Sequence, residues 1–282
     1  DSEWKKIKRL QLSGKELSYN NIIDIDSGYK CLLEFSEPTC IILKHTNPCG
    51  AASSKKIESA FAKAMQCDKK SAFGGIVLFN RKIKKDLAKE LAKNFFEVII
   101  STKFEKNSLE ILQKRKNLIL MELQNSKIEK KEHKSTIFGN LYQNINLKKI
   151  NKSFINQASY KAAKESQVQD LIFSLKIAKH LKSNAIVLSK NKQTIGIGQG
   201  QTNRVDALKI AMMKMKTNFK KTSFVCASDG FFPFVDSIKI LNKFGCKVIA
   251  QPSGSVNDIK VIKYAVEKKI ALYFTKYRLF KH

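Results

Sequence analysis

The chain has 282 residues, 43% of them hydrophobic, and a formal net charge of +29. That much apolar material builds a core and excludes a disordered chain, and no apolar run approaches the roughly 18 residues a membrane span needs. The charge alone would point to a polyanion. Only Arg9, Arg81, Arg115, Arg204 and Arg278 are arginine, however, and the lysines scattered through an Asn-, Ile- and Ser-rich background read as solvated helix faces, so no nucleic-acid partner is expected. Cys31, Cys40, Cys49, Cys67, Cys226 and Cys246 form no C-x-x-C pair, and no secretory signal is visible. Free thiols in a reducing, cytoplasmic compartment, with no membrane contact, are the expectation. The chain opens at Asp1 without an initiator Met and reads as a processed piece or a fragment.

Along the chain, short apolar runs alternate with helical patterns. Strands are expected at Cys40–Leu43, Ile76–Phe79, Val98–Ser101, Leu118–Met121, Ala185–Leu188, Ser223–Ala227, Lys247–Ala250 and Ala271–Phe274. Between them, spacings of three and four place Ile57, Ala60, Phe61, Ala64 and Met65 on one helix face, and Val205, Leu208, Met212 and Met215 on another. Leu87, Leu91 and Phe95 form a third face, and Leu171, Leu175, Ala178 and Leu181 a fourth. Gly245 stands where a helix over Asp236–Phe244 should end. The alternation predicts an α/β fold with a largely parallel sheet. From about Gln124 to Glu165 the pattern dissolves into polar, Lys/Asn-rich sequence. The expected organisation is a first α/β subdomain over 1–125, a connector over 126–165 and a second subdomain over 166–282. The halves are candidates for a distant duplication, although no strong internal repeat is visible.

The run "IILKHTNPCGAA" sends an apolar strand into Lys44 and His45, then into what reads as a Pro-Cys-Gly turn. At the end of a strand both side chains can reach one cleft, where His moves protons near neutral pH and an ammonium stabilises an oxyanion. The plainer alternative is a His satisfied by backbone beside a solvated Lys. His45, Pro48 and Cys49 partly match the zinc-deaminase signature, but Asn47 replaces its Glu and Ala52 its second Cys, so no zinc is expected. In "TIGIGQGQTNRVDALKIA", Gly196, Gly198 and Gly200 permit close backbone approach, and Thr202 or Asn203 can cap a helix that opens with Arg204. That is a candidate anion site or simply a tight hairpin before a helix. "ASDGFFPF" and "QPSGSVND" each follow a strand, "SAFGGIVLF" carries a Gly pair just before one, and Asn184 stands at the mouth of another.

In their order, "LSGKELSYNNI", "KHTNPCGAA", "SAFGGIVLFNR", "KHLKSNAIVL", "GIGQGQTNRVD", "SDGFFPF", "QPSGSVND" and "YRLFKH" resemble one family from about Leu10 to His282. It is the transformylase domain of the bifunctional purine-biosynthesis protein, which formylates AICAR (5-aminoimidazole-4-carboxamide ribonucleotide). The resemblance implies two cytidine-deaminase-like, three-layer α/β/α subdomains without zinc. It further implies a homodimer with active sites between subunits, and formyl transfer from 10-formyltetrahydrofolate to the 5-amino group of AICAR.

By the same resemblance His45 is the general base, Lys44 stabilises the formyl oxygen and Asn184 orients the reacting groups. Gly74, Glu97, Arg204, Phe231 and Arg278 match AICAR-binding positions, with the two arginines as candidates for its phosphate. Val205, Asp236, Ser255 and Val256 match folate-contacting positions, and a potassium ion accompanies some members. Two of the family's features are not seen in this sequence. One is the fused IMP cyclohydrolase domain, whose activity is therefore not expected of this chain, and the other is an Arg-Tyr segment upstream of "LSGKELSYNN" that helps bind AICAR. The rival readings are a basic, RNA-associating relic without catalysis and a metal-dependent deaminase, the latter opposed by Asn47 and Ala52.

Overall fold

The apolar runs become strands, each within two residues of its expected span. The computed structural model describes residues 9–123, 129–219 and 222–282, so the boundary expected at 125/126 lies outside the described residues. The strands are β1 Gln11–Ser13, β2 Thr39–Lys44, β3 Asn47–Ser53, β4 Gly75–Phe79, β5 Phe96–Ser101, β6 Ile119–Glu122, β7 Lys131–Thr136, β8 Gly139–Asn144, β9 Ile155–Gln157, β10 Ile186–Lys190, β11 Gln193–Gly198, β12 Phe224–Ser228, β13 Cys246–Pro252 and β14 Ala271–Thr275. The helices are α1 Tyr19–Leu32, α2 Ile57–Cys67, α3 Lys69–Ala72, α4 Lys85–Ala92, α5 Lys106–Leu112, α6 Glu165–Ala178, α7 Arg204–Asn218, α8 Asp236–Lys243 and α9 Asp258–Glu267.

Twelve strands form one sheet in the order β1-β6-β5-β4-β2-β3-β11-β10-β12-β13-β14-β9. The expectation of parallel pairing describes β4-β5-β6 and β12-β13-β14. The centre is antiparallel, because β2–β3 and β10–β11 are hairpins joined by two-residue turns. What reads in sequence as a Pro-Cys-Gly turn is therefore strand. The chain reverses earlier, at His45–Thr46, and Asn47–Ser53 runs back beside β2. Positive φ at His45 (52°) and Thr46 (64°) is what a tight, twisted hairpin turn demands.

Each half runs α-β-β-α-β-α-β-α-β, apart from the added turn of α3, and the two halves are placed back to back. Gly50 in β3 and Gly196 in β11 show the repeat at atomic scale. A Cβ on either would stand 2.2 Å from a carbonyl oxygen of the following helix, Ala64 and Ala211 respectively. The approach that these glycines permit is by the protein's own helices. Gly196 and Gly198 therefore belong to packing between β11 and α7 and not to an anion cradle.

Alternation along the strands feeds two faces. Ile41, Leu43, Ile76, Leu78, Val187, Val225 and Val248 join a core under α1 and α6 that is continuous across both halves. The opposite face splits into one cluster under α2, α4 and α5 and another under α7, α8 and α9. The expected connector contains the β7–β8 hairpin, exposed along nearly its whole length, and β9, which pairs with β14 and forms that edge of the sheet.

The halves meet where Gln193 of β11 pairs with Ala52 of β3. Beside that pair the buried Thr194 hydroxyl accepts from Ala51 N (2.9 Å) and donates to Ala51 O (3.1 Å). Away from the sheet, Glu34 after α1 accepts from Lys179 Nζ at 2.6 Å and lies 3.3 Å from His180 Nε2, while Lys214 of α7 reaches Asp68 at 2.9 Å.

Two predictions follow from this seam. Thr194→Val keeps the volume but leaves the buried Ala51 N–H and C=O unpaired, at about 1–3 kcal/mol for each group. It should lower the urea midpoint, and an unchanged midpoint would remove Thr194 from the seam. Glu34 is pushed up by burial, but the hydrogen bonds from His180 and Lys179 outweigh this and hold its carboxyl below the ordinary 4.5. A depressed folded value stabilises fully above the unfolded one and is lost as pH falls through the folded one. The stability advantage of wild type over Glu34→Gln should therefore shrink as unfolding is measured from neutral pH down into the acid range. A pH-independent difference would show that the carboxylate is not coupled to folding.

Candidate functional site

The reversed direction of the halves decides what reaches the rim at the His45 turn. Because β4 runs antiparallel to β2, the first half brings the amino ends of β4 and β5 there, with Gly74 and Glu97. The second half brings the carboxyl ends of β12, β13 and β14, followed by Phe231, Ser255 and Arg278. The rule that ligands collect at carboxyl ends of parallel strands covers one half of the rim only.

Lys44 closes β2 and donates through Nζ to the carbonyls of Phe73 (2.9 Å) and Gly74 (3.0 Å). Gly74 has φ +64°, and a Cβ there would stand 3.1 Å from Lys44 Nζ, so a bare backbone suits both the turn and the close lysine. His45 is exposed on its turn. His45 and the β-branched Thr46 both sit in the left-handed region, which disfavours non-glycine residues by about 1–2 kcal/mol each, so surrounding contacts must hold the turn. Asn47 does part of this. Its Nδ2 donates to His45 O (2.8 Å), and its Oδ1 accepts from Lys182 N (3.0 Å), tying the turn to the loop that carries Asn184.

Asn184 is held at both ends of its amide. Nδ2 donates to Gln201 O (2.8 Å) and Thr202 O (3.2 Å), while Oδ1 accepts from Arg204 Nη2 at 2.6 Å. Arg204 opens α7, whose N-cap is Asn203. The Arg204 guanidinium is buried, pairs with the fully buried Asp229, and also donates to Ser228 Oγ at 3.0 Å. Gly230 leaves room for it, since a Cβ there would come within 2.3 Å of Nη2. Arg278, by contrast, is exposed, with its guanidinium 5.1 Å from the centre of the Phe231 ring and 5.7 Å from that of Phe280.

Asp229 and Ser183, neither singled out in the sequence, lock this corner. Ser183 Oγ donates to Asp229 Oδ2 at 2.6 Å, and Leu279 N donates to Asp229 O at 2.9 Å, which fastens the C-terminal tail beside Arg278. Glu97 accepts from Asn21 of α1 at 3.1 Å. The folate-directed positions form a second grouping within the second half. Asn257 Nδ2 donates to Pro233 O (2.8 Å), drawing the loop with Ser255 and the fully exposed Val256 toward the segment leading to Asp236 at the start of α8. Val205 is half-buried in the first turn of α7.

Cys49 is buried among apolar residues under α2, away from the exposed His45. Among the described residues no group of three or more His, Cys, Asp or Glu side chains could hold a metal ion, and no helix is long and apolar enough to cross a membrane.

A family model described as AICARFT/IMPCHase bienzyme matches residues 1–214. A bifunctional purine biosynthesis protein PurH from Fusobacterium nucleatum is 46% identical over 274 residues, covering 96% of this chain and 54% of its own length. Relatives of the same name from Persephonella marina and Buchnera aphidicola are 42% and 44% identical, again over 96% of this chain and 53% of theirs. The chain thus spans about half the length of the curated relatives it matches.

The corner makes its own prediction. Arg204→Ala strands the Asp229 carboxylate in a dry site and should cost about 3–5 kcal/mol in denaturant unfolding. Adding Asp229→Ala should recover part of that loss. A double variant whose loss equals the sum of the Arg204→Ala and Asp229→Ala losses would mean that the pair is not energetically coupled.

Proposed function

The chain belongs to the AICARFT/IMPCHase bienzyme family, and from that premise we propose that it transfers the formyl group of 10-formyltetrahydrofolate to the 5-amino group of AICAR. The observation that carries the reading is the single rim on which Asn47 and Lys182 join the Lys44–His45 turn to Asn184 and the Arg204 corner. The repeated α-β-β-α-β-α-β-α-β halves support the reading of two cytidine-deaminase-like subdomains, and Asn47 and Ala52, in place of the deaminase Glu and second Cys, support a reading without zinc.

The amine of AICAR is a weak nucleophile, because its lone pair is delocalised into the ring and carboxamide. It must lose a proton as it attacks the formyl carbon. His45, exposed on its turn, takes that proton on its unprotonated ring nitrogen. The formyl oxygen gains charge in the tetrahedral intermediate. Lys44 spends two of its three N–H donors on Phe73 O and Gly74 O, which leaves the third for that oxygen. The bond from the formyl carbon to the folate nitrogen then breaks, that nitrogen takes up the proton His45 had removed, and formyl-AICAR and tetrahydrofolate leave.

Asn184, with its amide fixed by Arg204 and two carbonyls, orients the imidazole carboxamide. Of the two arginines, Arg278 is the exposed cation suited to the nucleotide phosphate, and Phe231 beneath it offers a face for the base. Arg204, engaged by Asp229 and Ser228, serves through Asn184. Gly74 and Glu97 complete the nucleotide side, and Val205, Asp236, Ser255 and Val256 the folate side. A homodimer, a bound potassium ion and cytoplasmic residence complete the proposal.

The test is the release of tetrahydrofolate from 10-formyltetrahydrofolate, followed spectrophotometrically with and without AICAR. AICAR-dependent release is expected, and His45→Ala should remove most of kcat while leaving AICAR affinity largely intact. Near-normal kcat in that variant would refute the general base.

A further inference from the structure

The turn carrying His45 is held from outside its own hairpin. Thr46 donates its N–H to Asp24 Oδ1 at 2.5 Å, and Ser27 Oγ donates to Thr46 O at 2.7 Å. Both polar backbone groups of the residue after His45 are therefore taken by α1, from positions one turn apart on the same helix face. Ser27 in turn accepts from Lys281 Nζ at 3.1 Å, and the same ammonium donates to His180 O at 3.3 Å. The catalytic turn, α1 and the C-terminal tail thus form one chain of hydrogen bonds.

The second half repeats the device without the chemistry. Asp170 holds in α6 the place that Asp24 holds in α1, five residues after the helix begins. It accepts from Asn191 N (2.8 Å) and Lys192 N (2.7 Å), the two residues of the β10–β11 turn. Asn191 and Lys192 also have positive φ, 52° and 51°. The fold therefore places an α-helical carboxylate under each hairpin turn. Only in the first half is the pinned turn made of His and a β-branched residue, and only there does a serine hydroxyl hold the carbonyl as well.

We propose that Asp24 is a positioning residue for His45, acting through the Thr46 N–H to fix the turn from which the imidazole reaches the amine of the substrate. The proposal rests on the reading of His45 as general base. The required element is an acceptor oxygen at that point. Asp24→Asn keeps such an oxygen and Asp24→Ala does not.

Asp24→Ala should lower kcat by about 10- to 100-fold, leave KM for AICAR within about threefold of wild type, and speed amide exchange at Thr46. Asp24→Asn should restore kcat to within a few-fold of wild type, and Ser27→Ala should show a smaller drop of the same kind. Asp170→Ala is the matched control. It should lower the melting temperature but leave kcat per folded molecule unchanged. The proposal is overturned if Asp24→Ala keeps wild-type kcat, if Asp24→Asn is as impaired as Asp24→Ala, or if Asp24→Ala and Asp170→Ala lose kcat alike. If Asp24→Ala does not fold, Ser27→Ala decides, and wild-type kcat there is also refuting. His45→Ala run in parallel separates the two levels. An inactive His45→Ala beside a fully active Asp24→Ala sinks this inference alone, whereas an active His45→Ala sinks the reading beneath it.

Discussion

Everything at the rim depends on the antiparallel seam between β3 and β11. Lys44, His45, Gly74 and Glu97 belong to one half, and Asn184, Arg204, Phe231 and Arg278 to the other. Neither half holds the full set, so the sheet must stay continuous for these residues to share one rim. Backbone pairing at the seam is sparse, and the Thr194 hydroxyl supplies two of the bonds that a longer ladder would have made. The core under α1 and α6 adds apolar contact along the whole joined face.

The same seam explains the asymmetry of the site. Two copies of one supersecondary pattern, joined antiparallel, put strand starts from one copy beside strand ends from the other. Strand starts contribute close backbone and a carboxylate, at Gly74 and Glu97. Strand ends contribute loops with a cation and an aromatic ring, at Arg278 and Phe231. The buried Arg204–Asp229 pair fits this division. A buried ion pair is a poor source of net stability, but it fixes directions, and here it fixes the Asn184 amide and the path of the tail toward Arg278.

Much of the site was legible as sequence, because chemistry-bearing residues interrupt apolar runs. Lys44 and His45 follow four strand residues without a charge, and Asn184 precedes another such run. Asp24, Ser27, Asp229 and Lys281 were not legible. Asp229 lies in the stretch Ala227–Phe234, where nothing local marks it for full burial. Asn21, Asp24 and Ser27 recur at a spacing of three along α1, and polar residues repeating on a helix face that also carries Ile25 and Cys31 are a signal that something polar must be held there. Arg204 was legible as a charge, but its partner was not, since the partner comes from a strand end in another part of the chain.

For the fold, composition and periodicity determined the apolar strands, the helices between them and the α/β class, because burial of alternating or three-four-spaced residues is a local pattern. β3, with Pro, Gly and three small residues, and the Gly-containing β11 carry weak strand preference, and they are strands because β2, β10 and the helices above them supply partners. The exposed β7–β8 hairpin has no buried face to leave a pattern. The sequence by itself determined which residue types were available for proton transfer, oxyanion stabilisation and phosphate binding. Only the tertiary structure decided that the two halves meet antiparallel and that Arg204 is spent on Asp229. It also decided that α1 holds the turn of His45, since each of these rests on hydrogen bonds between residues far apart in the chain, which leave no periodic trace in it.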